Sequence, residues 1–204
     1  MTQTPIDLPY SAACERNQAP ILQVISPYLE KATSVLEVGT GTAQHALYFA
    51  QRYPRLQWQT ADQSHYLSGI NAQLLNARLD NVSVPIELDV NQKNWGFNGQ
   101  AFDVIYTSNT LHIMSIEDVN AFFNGLSAVA QKETILIIYG PFKYSGAFTS
   151  DSNQEFDQSL RERGEGSCIK EFNEIERLAN QQGFKLLNDY AMPANNQCLI
   201  WSYE

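Results

Sequence analysis

The chain has 204 residues, of which 44% are hydrophobic and 17% charged, values typical of one globular domain with a single large core. The formal net charge is −9, and the 13 Lys and Arg residues are scattered, so the sequence offers no basic face for DNA or RNA. It contains no apolar run long enough to span a bilayer and no basic-then-apolar signal peptide. We therefore expect a cytoplasmic protein that has neither nucleic acid nor membrane as a partner.

Strands and helices alternate along the chain, a pattern that indicates βαβ units and a parallel sheet. The predicted strands are 34–38, 56–61, 84–88, 102–107, 134–139, 184–190 and 198–203. The predicted helices are 17–30, 44–53, 66–78, an apolar stripe at 119–130 that follows the capping-box pair Ser115 and Asp118, and 171–182.

The last two predicted strands are joined by too few residues for a parallel crossover, so this pair is expected to be antiparallel. We therefore predict that residues 1–204 form one α/β domain. It has a doubly wound, Rossmann-like, seven-stranded and mostly parallel sheet, with an antiparallel C-terminal strand and helices on both faces.

Residues 142–167 show no clear periodicity and are rich in Ser, Gly, Asp and Asn, with a helix predicted at 155–162. A long segment of this kind is usually functional or disordered, and this one follows the end of a central strand, where ligands bind in open α/β sheets. We predict a lid over a substrate site. The alternative is a mobile surface loop with no contact to the chemistry.

The most informative segment is VLEVGTGTA, residues 35–43. A buried strand runs into a tight turn that contains Gly39 and Gly41, and a helix follows. Glycine lets the backbone turn sharply and approach a ligand, and the first turn of the helix presents free N–H groups. The segment therefore predicts a ligand site at this turn.

Three acidic residues end the first three predicted strands on the same edge of the sheet. Glu37 ends a buried strand, where a carboxylate needs a partner. Asp62 follows Gly39 by 23 residues, the approximate separation at which an acid binds ribose hydroxyls in the Rossmann pattern. Asp89 ends the third strand. We expect all three to line one crevice, although Asp62 and Asp89 could instead be turn or cap residues.

The loop lacks the features of a pyrophosphate site. The third glycine of a dinucleotide fingerprint would fall at position 44, which is Gln44, and the lysine of a phosphate-binding P-loop is missing. A nucleoside ligand without a pyrophosphate is therefore expected.

With these residues in place, VLEVGTGTA resembles the first motif of class I S-adenosylmethionine (SAM)-dependent methyltransferases, with Ala43 where a third glycine usually stands. The stretches ERNQAPIL, EVGTGTAQHALYFA, SNTLHIM, GPFKYSGAFTSDSNQEFDQSLR and MPANN resemble a poorly characterised methyltransferase-like family, known mainly as a domain of unknown function. The resemblance implies a methyltransferase with SAM as cofactor and S-adenosylhomocysteine as product.

The resemblance also implies positions for the cofactor. The methionine part would contact Gly39, Thr40 and Gly41, and its carboxylate would contact Arg16 and Asn17. The ribose would contact Asp62, and the adenine would contact Gln63, Asp89 and Val90. The sulfonium would lie next to Asn109 and Thr110. Arg16 has an ordinary surface ion pair as its alternative role. For Glu37, direct contact with the ligand and hydrogen bonds to the loop backbone both remain open.

Methyl transfer needs a general base only when the nucleophile arrives protonated. The leading candidate is His112, three residues after Asn109, and its alternative is a packed loop histidine. His45, in the first turn of the helix after the glycine loop, is a second candidate that would also contact the cofactor. Residues proposed to shape the acceptor pocket are Tyr139, Tyr144 and Asp151.

A small molecule is the first choice of methyl acceptor and a protein side chain the second. Three other interpretations remain: a protein that binds SAM or its product without catalysis, a subunit that mainly binds another protein, and an NAD(P)-dependent oxidoreductase. The three cysteines, Cys14, Cys168 and Cys198, lie far apart and form no CxxC pair. They predict reduced thiols and no metal site.

Overall fold

The computed structural model describes residues 8–164 and 166–204. Residues 1–7 of the predicted domain and Glu165 of the predicted lid lie outside the described residues. In chain order the strands are β1 (Ser34–Val38), β2 (Gln57–Asp62), β3 (Val82–Glu87), β4 (Phe102–Ser108), β5 (Ala130–Gly140), β6 (Phe142–Tyr144), β7 (Ala147–Phe148), β8 (Lys170–Glu171), β9 (Phe184–Met192) and β10 (Asn196–Tyr203). The helices are α1 (Ala12–Leu29), α2 (Gln44–Ala50), α3 (Ser64–Ala77), α4 (Ile116–Leu126), α5 (Asp151–Glu162) and α6 (Phe172–Gln181).

The main sheet has seven strands in the order β3-β2-β1-β4-β5-β10-β9. Strands β1 to β5 pair in parallel, and β10 is antiparallel to both of its neighbours, β5 and β9. This arrangement confirms the predicted doubly wound α/β fold. The strand order reverses between β1 and β4, so the carboxyl ends of these two strands form the crevice where such folds bind ligands.

Two apolar cores cover the two faces of this sheet, because side chains alternate along each strand. On β1, Val35 belongs to a core shared with Ile21 of α1 and Phe49 of α2. Its neighbour Leu36 belongs to the core on the other face, shared with Phe122 of α4. The helices are thus divided between both faces, as predicted.

The first helix begins earlier than predicted. It starts at Ala12, where Ser11 is the N-cap and its hydroxyl accepts a hydrogen bond from the N–H of Cys14 at 3.3 Å. The predicted start at residue 17 is wrong, because Ser11 already supplies the acceptor that the first turn needs. Asn17 instead lies inside α1, and its side chain is free to reach another element.

The largest difference lies in residues 142–167, predicted as an aperiodic segment with a helix at 155–162. The segment contains β6, β7 and the full helix α5, and β6 also pairs with β8 in a three-stranded sheet. The buried residues of α5 are Asn153, Asp157 and Leu160, so most of its inward face is polar and carries no apolar period. We call residues 142–171 the insert.

Hydrogen bonds explain why those polar residues are buried. The amide NH2 of Asn153 donates to the carbonyl of Asn195 at 2.8 Å. The carboxylate of Asp157 accepts from the N–H of Ile169 at 2.7 Å. Such groups can be buried at low cost only when they are paired in this way.

Among the helices of the described residues, none combines the length and the apolar character needed to cross a membrane.

Candidate active site

A cleft of about 300 Å³ opens at the carboxyl ends of β1, β2 and β4, where the strand order reverses. Nine of the thirteen residues predicted to hold a cofactor line it: Gly39, Thr40, Gly41, His45, Asp62, Gln63, Val90, Asn109 and Thr110. The sequence thus located the cleft, and the contacts below show what each group does in it.

Glycine is required at position 39 because a neighbouring side chain leaves no room for a β-carbon there. Its φ is +76°, and a β-carbon built at this position would lie 2.2 Å from Cγ2 of Thr110. The Thr107 hydroxyl contacts the Thr110 hydroxyl and also donates to the carbonyl of Val38 at 2.8 Å. The absent side chain at Gly39 therefore lets the glycine loop pack directly on the turn after β4.

Gly41 serves a different purpose. It has φ +59°, and a β-carbon there would meet no heavy atom of the described residues within 4 Å. The backbone at Gly41 therefore faces open space in the cleft, as expected where a ligand approaches. Ala43, at the position of the usual third glycine, also adopts a left-handed conformation with φ 60°.

Asp62 is held by the backbone at the end of β2. One carboxylate oxygen accepts from the N–H of Gly41 at 2.6 Å and the other from the N–H of Gln63 at 2.7 Å. Burial raises the pKa of Asp62, and these two hydrogen bonds oppose that rise. The carboxylate is therefore fixed in orientation, with lone pairs remaining for hydroxyl groups of a ligand.

Asp89 does not line the cleft, whereas Val90 does. The carboxylate of Asp89 accepts a hydrogen bond from the backbone N–H of Asn91 at 2.9 Å and another from the side-chain amide of Asn91 at 3.1 Å. The same amide donates to Asp118 at 2.8 Å, and Asp118 lines the cleft. Burial acts to raise the pKa of Asp118, but hydrogen bonds from Asn91 and Ser115 outweigh it and lower that pKa. The carboxylate of Asp118 is therefore ionised at neutral pH.

Glu37 lies beneath the cleft and is not one of its lining residues. It is 2% exposed, and its carboxyl accepts a hydrogen bond from the indole N–H of Trp58 at 3.1 Å. Burial raises the pKa of Glu37 to about 8, and the nearby Asp62 adds to this rise. Its partner is thus a buried indole, an arrangement that neither interpretation of the sequence included.

His45 lines the cleft and links two side chains. Its Nε2 lies 2.7 Å from Oδ1 of Asn17, and its Nδ1 lies 2.8 Å from the hydroxyl of Ser108. The ring stacks on Phe49, with centroids 5.6 Å apart. Burial lowers the pKa of His45 to about 4, so the imidazole is neutral at physiological pH.

His112 is placed outside the cleft lining. It is 6% exposed, and its ring packs edge-on against Phe156 of α5, with centroids 5.3 Å apart. Burial lowers the pKa of His112 to about 4, and the charges of Lys170 and Arg163 act in the same direction. This is the geometry of a packed, neutral histidine.

Five other predicted residues also lie outside the cleft lining: Arg16, Asn17, Tyr139, Tyr144 and Asp151. The side chains of Arg16 and Asp151 are exposed, and Tyr139 is buried. The hydroxyl of Tyr144 donates to Asp189 on β9 at 2.7 Å. The structure therefore does not gather the three residues predicted for an acceptor pocket around the cleft.

The insert supports the wall of the cleft that follows β4. Three consecutive residues after β4 each contact one residue of the insert. The His112 ring packs on Phe156. The Ser167 hydroxyl donates to the Ile113 carbonyl at 2.5 Å, and the Lys170 ammonium donates to the Met114 carbonyl at 2.6 Å. Ile113 and Met114 line the cleft. The insert thus fixes the position of these two side chains from behind.

Ten lining residues were not predicted as site residues: Ser11, Cys14, Val38, Thr42, Tyr66, Leu88, Ser108, Ile113, Met114 and Asp118. Two of them carried a usable signal, because Ser108 begins the SNTLHIM stretch and Asp118 completes a capping box at the start of α4. Ser11 and Cys14 reach the cleft through the early start of α1, and Tyr66 lies on α3. Ile113 and Met114 reach it through the path of the loop after β4.

The cleft is acidic. Asp62 and Asp118 carry the charge of its lining, and no Lys or Arg side chain of residues 8–164 and 166–204 lines it. Within the same ranges, no group of three His, Cys, Asp or Glu side chains is arranged to hold a metal ion.

Several solved methyltransferase structures share this fold. An O-methyltransferase family protein from Burkholderia thailandensis shares 16% identity with a TM-score of 0.82, covering 94% of this chain and 57% of that one. Human N-acetylserotonin methyltransferase, in complex with SAM, shares 10% identity with a TM-score of 0.79, covering 94% and 52%. An O-methyltransferase family 2 protein from Planctomyces limnophilus, in complex with apigenin, shares 15% identity with a TM-score of 0.72, covering 84% and 51%.

The fold is that of the class I SAM-dependent methyltransferases, and this chain spans about half the length of the solved proteins that it resembles. Residues 8–203 match the model of a family described as "Protein of unknown function (DUF938)", and the chain belongs to that family.

Proposed function

We propose that this protein is a SAM-dependent methyltransferase that acts on a small molecule. The observation that carries the proposal is the chemistry of the cleft: an open glycine loop at Gly41, a backbone-held carboxylate at Asp62 and no lining Lys or Arg among the described residues. SAM bears one net positive charge, whereas a dinucleotide carries an anionic pyrophosphate. An acidic cleft favours the first ligand and disfavours the second.

The lining suits each part of SAM in turn. Asp62 would accept hydrogen bonds from the ribose hydroxyls, and the apolar pair Leu88 and Val90 after β3 would contact the adenine. When bound, SAM supplies a methyl group on a sulfonium, which is electrophilic. The protein's own contribution is to align the acceptor and to exclude water.

The described cleft contains no histidine that is basic at neutral pH, since the pKa of His45 is lowered to about 4 and His112 lies outside the lining. The lining thus offers no histidine as a general base, and we propose an acceptor that does not need one, such as an amine, a thiolate or an ionised hydroxyl. The same observation favours a second candidate function, a protein that binds SAM or S-adenosylhomocysteine without catalysis.

Calorimetric titration with SAM and with S-adenosylhomocysteine tests the cofactor. We expect micromolar binding that Asp62→Asn weakens at least tenfold, while Asp80→Asn, at an exposed position, has no effect. Absence of binding to folded protein would refute the proposal. Methyl transfer from labelled SAM to a panel of small amines, thiols and phenols then separates an enzyme from a binding protein.

A further inference from the structure

We propose that the cleft recognises the amino-acid end of its cofactor through the ammonium group, which hydrogen-bonds to Ser108, and that it gives the carboxylate no charged partner. The inference rests on the proposed function and concerns which part of the cofactor is selected. It predicts that decarboxylated SAM, which keeps the ammonium and lacks the carboxylate, is also a ligand.

The first step concerns the direction of two hydrogen bonds. The amide oxygen of Asn17 only accepts, so the Nε2 atom of His45, 2.7 Å away, carries the ring proton. The Nδ1 atom of the neutral ring is then an acceptor. It lies 2.8 Å from the hydroxyl of Ser108 and 3.4 Å from the hydroxyl of Tyr106, so the nearer Ser108 hydroxyl is the donor that the geometry assigns to it. Ser108 therefore presents only lone pairs to the cleft.

The surroundings maintain this arrangement. His45 is 3% exposed, and its burial keeps the ring neutral. A hydroxyl fixed as an acceptor favours a ligand group that donates, and a protonated amine donates most strongly.

The second step concerns position. Asp62 ends β2 and Ser108 ends β4, so the two residues lie on opposite sides of β1 in the sheet. A nucleoside whose ribose binds Asp62 and whose base contacts Leu88 and Val90, beyond β3, extends its other end toward β4. That end carries the amino acid in SAM, and Ser108 is the acceptor there.

The third step concerns the carboxylate. No Lys or Arg of the described residues lines the cleft, and Arg16, the nearest basic residue in sequence to Asn17, has an exposed side chain. The sequence of residues 1–7 and residue 165 contains no Lys or Arg. The charged lining groups, Asp62 and Asp118, are both acidic and repel a carboxylate.

Two ligand pairs test the proposal by calorimetry. S-adenosylhomocysteine and 5′-methylthioadenosine are both neutral thioethers and differ in the amino-acid end. We expect the second to bind about ten- to a hundredfold more weakly, the usual effect of a lost hydrogen bond to a charged group. SAM and decarboxylated SAM differ in the carboxylate, and we expect the second to bind at least as tightly. A tenfold loss with decarboxylated SAM would overturn the proposal.

Two variants assign the effect. Ser108→Ala should weaken the binding of S-adenosylhomocysteine about tenfold and leave that of 5′-methylthioadenosine unchanged, so that the difference in affinity between the two ligands shrinks about tenfold. His45→Phe, which keeps the aromatic stack on Phe49 but cannot accept from Ser108, should reduce the same difference in part. Ser64→Ala, at an exposed position beside the cleft residue Gln63, is the control. An unchanged difference in Ser108→Ala would overturn the assignment.

Nuclear magnetic resonance of ¹⁵N-histidine-labelled protein gives a readout independent of activity. We expect His45 as the neutral Nε2–H tautomer at neutral pH, and either the Nδ1–H tautomer or a charged ring would overturn the proposal. If SAM binds and decarboxylated SAM does not, the inference fails while the proposed function stands. If neither binds, both fail.

Discussion

A β-carbon at Gly39 would lie 2.2 Å from Cγ2 of Thr110, so the glycine loop and the turn after β4 are packed against each other with no space between them. We predict that Gly39→Ala destabilises the protein by about 2–4 kcal/mol, from overpacking and from a left-handed φ of +76°. Chemical denaturation measures the change.

Thr110→Ser separates these two causes, because it removes Cγ2 and keeps the hydroxyl that contacts Thr107. We expect Gly39→Ala combined with Thr110→Ser to recover roughly 1 kcal/mol or more relative to the sum of the single variants. Simple additivity would show that the backbone conformation alone accounts for the glycine. Gly41→Ala, which meets no such neighbour, is the matched comparison for the conformational part.

The insert should control the cleft through Lys170. This residue is 4% exposed, and its ammonium donates to the carbonyls of Met114 and Cys168 at 2.6 Å and 3.1 Å. In Lys170→Met the Met114 carbonyl loses this donor, so we expect SAM to bind several-fold more weakly. The methyl resonance of Met114 should also shift; the unmodified chain has three methionines, and the one additional resonance in the variant belongs to the introduced methionine.

Lys132→Met, at an exposed position on β5, is the control for this experiment. An unchanged affinity together with an unchanged Met114 resonance would show that the insert does not position the wall of the cleft. If folded Lys170→Met binds SAM more weakly and the control does not, the result would show that the insert positions residues 112–114.

The sequence predicted the sheet well because its central strands are marked by continuous apolar runs. SVLEV and FDVIYT are buried on both faces, and these segments are β1 and most of β4. The insert was harder to predict because α5 buries Asn153 and Asp157, whose partners, Asn195 and Ile169, lie outside the helix. A pattern based on apolar period cannot detect a helix whose buried face is held by such hydrogen bonds.

The candidate site shows the same division. Residues that follow a strand directly, such as Gly41 and Asp62, could be placed in the cleft from strand order alone. Ile113 and Met114 enter it through a loop whose path depends on contacts with the insert. Asp89 satisfied the same strand-end rule, but the side chain of Asn91 binds its carboxylate outside the lining, a local contact that spacing does not specify.

Glu37 should make stability depend on pH. Burial raises its pKa from 4.5 to about 8, so between these values the folded protein holds a proton that the unfolded chain has released. The resulting stability is fully present below pH 4.5 and is lost as the pH rises through about 8. The free energy of unfolding should therefore fall by roughly 2–4 kcal/mol across this pH range, and we predict that this fall is absent in Glu37→Gln.

Thermal and chemical denaturation across this pH range measure the effect. The amide oxygen introduced by Glu37→Gln still offers an acceptor to the indole of Trp58, so the variant should fold, and Glu87→Gln at an exposed position is the control. If Glu37→Gln follows the same pH profile as the unmodified protein, the carboxyl is not the group that titrates. Because Glu37 lies outside the lining, SAM affinity should change less than about threefold.

His112 should affect acid stability and leave cofactor binding unchanged. Burial lowers its pKa from 6.5 to about 4, so the unfolded chain takes up a proton in this range before the folded protein does. Stability is therefore fully present above pH 6.5 and is lost as the pH falls through about 4. We expect His112→Gln to reduce this acid-dependent loss by about 2 kcal/mol, measured by denaturation, with His65→Gln at an exposed position as the control. SAM affinity should stay within about twofold, because His112 does not line the cleft. Loss of methyl transfer at unchanged SAM affinity and unchanged stability would instead identify His112 as the general base.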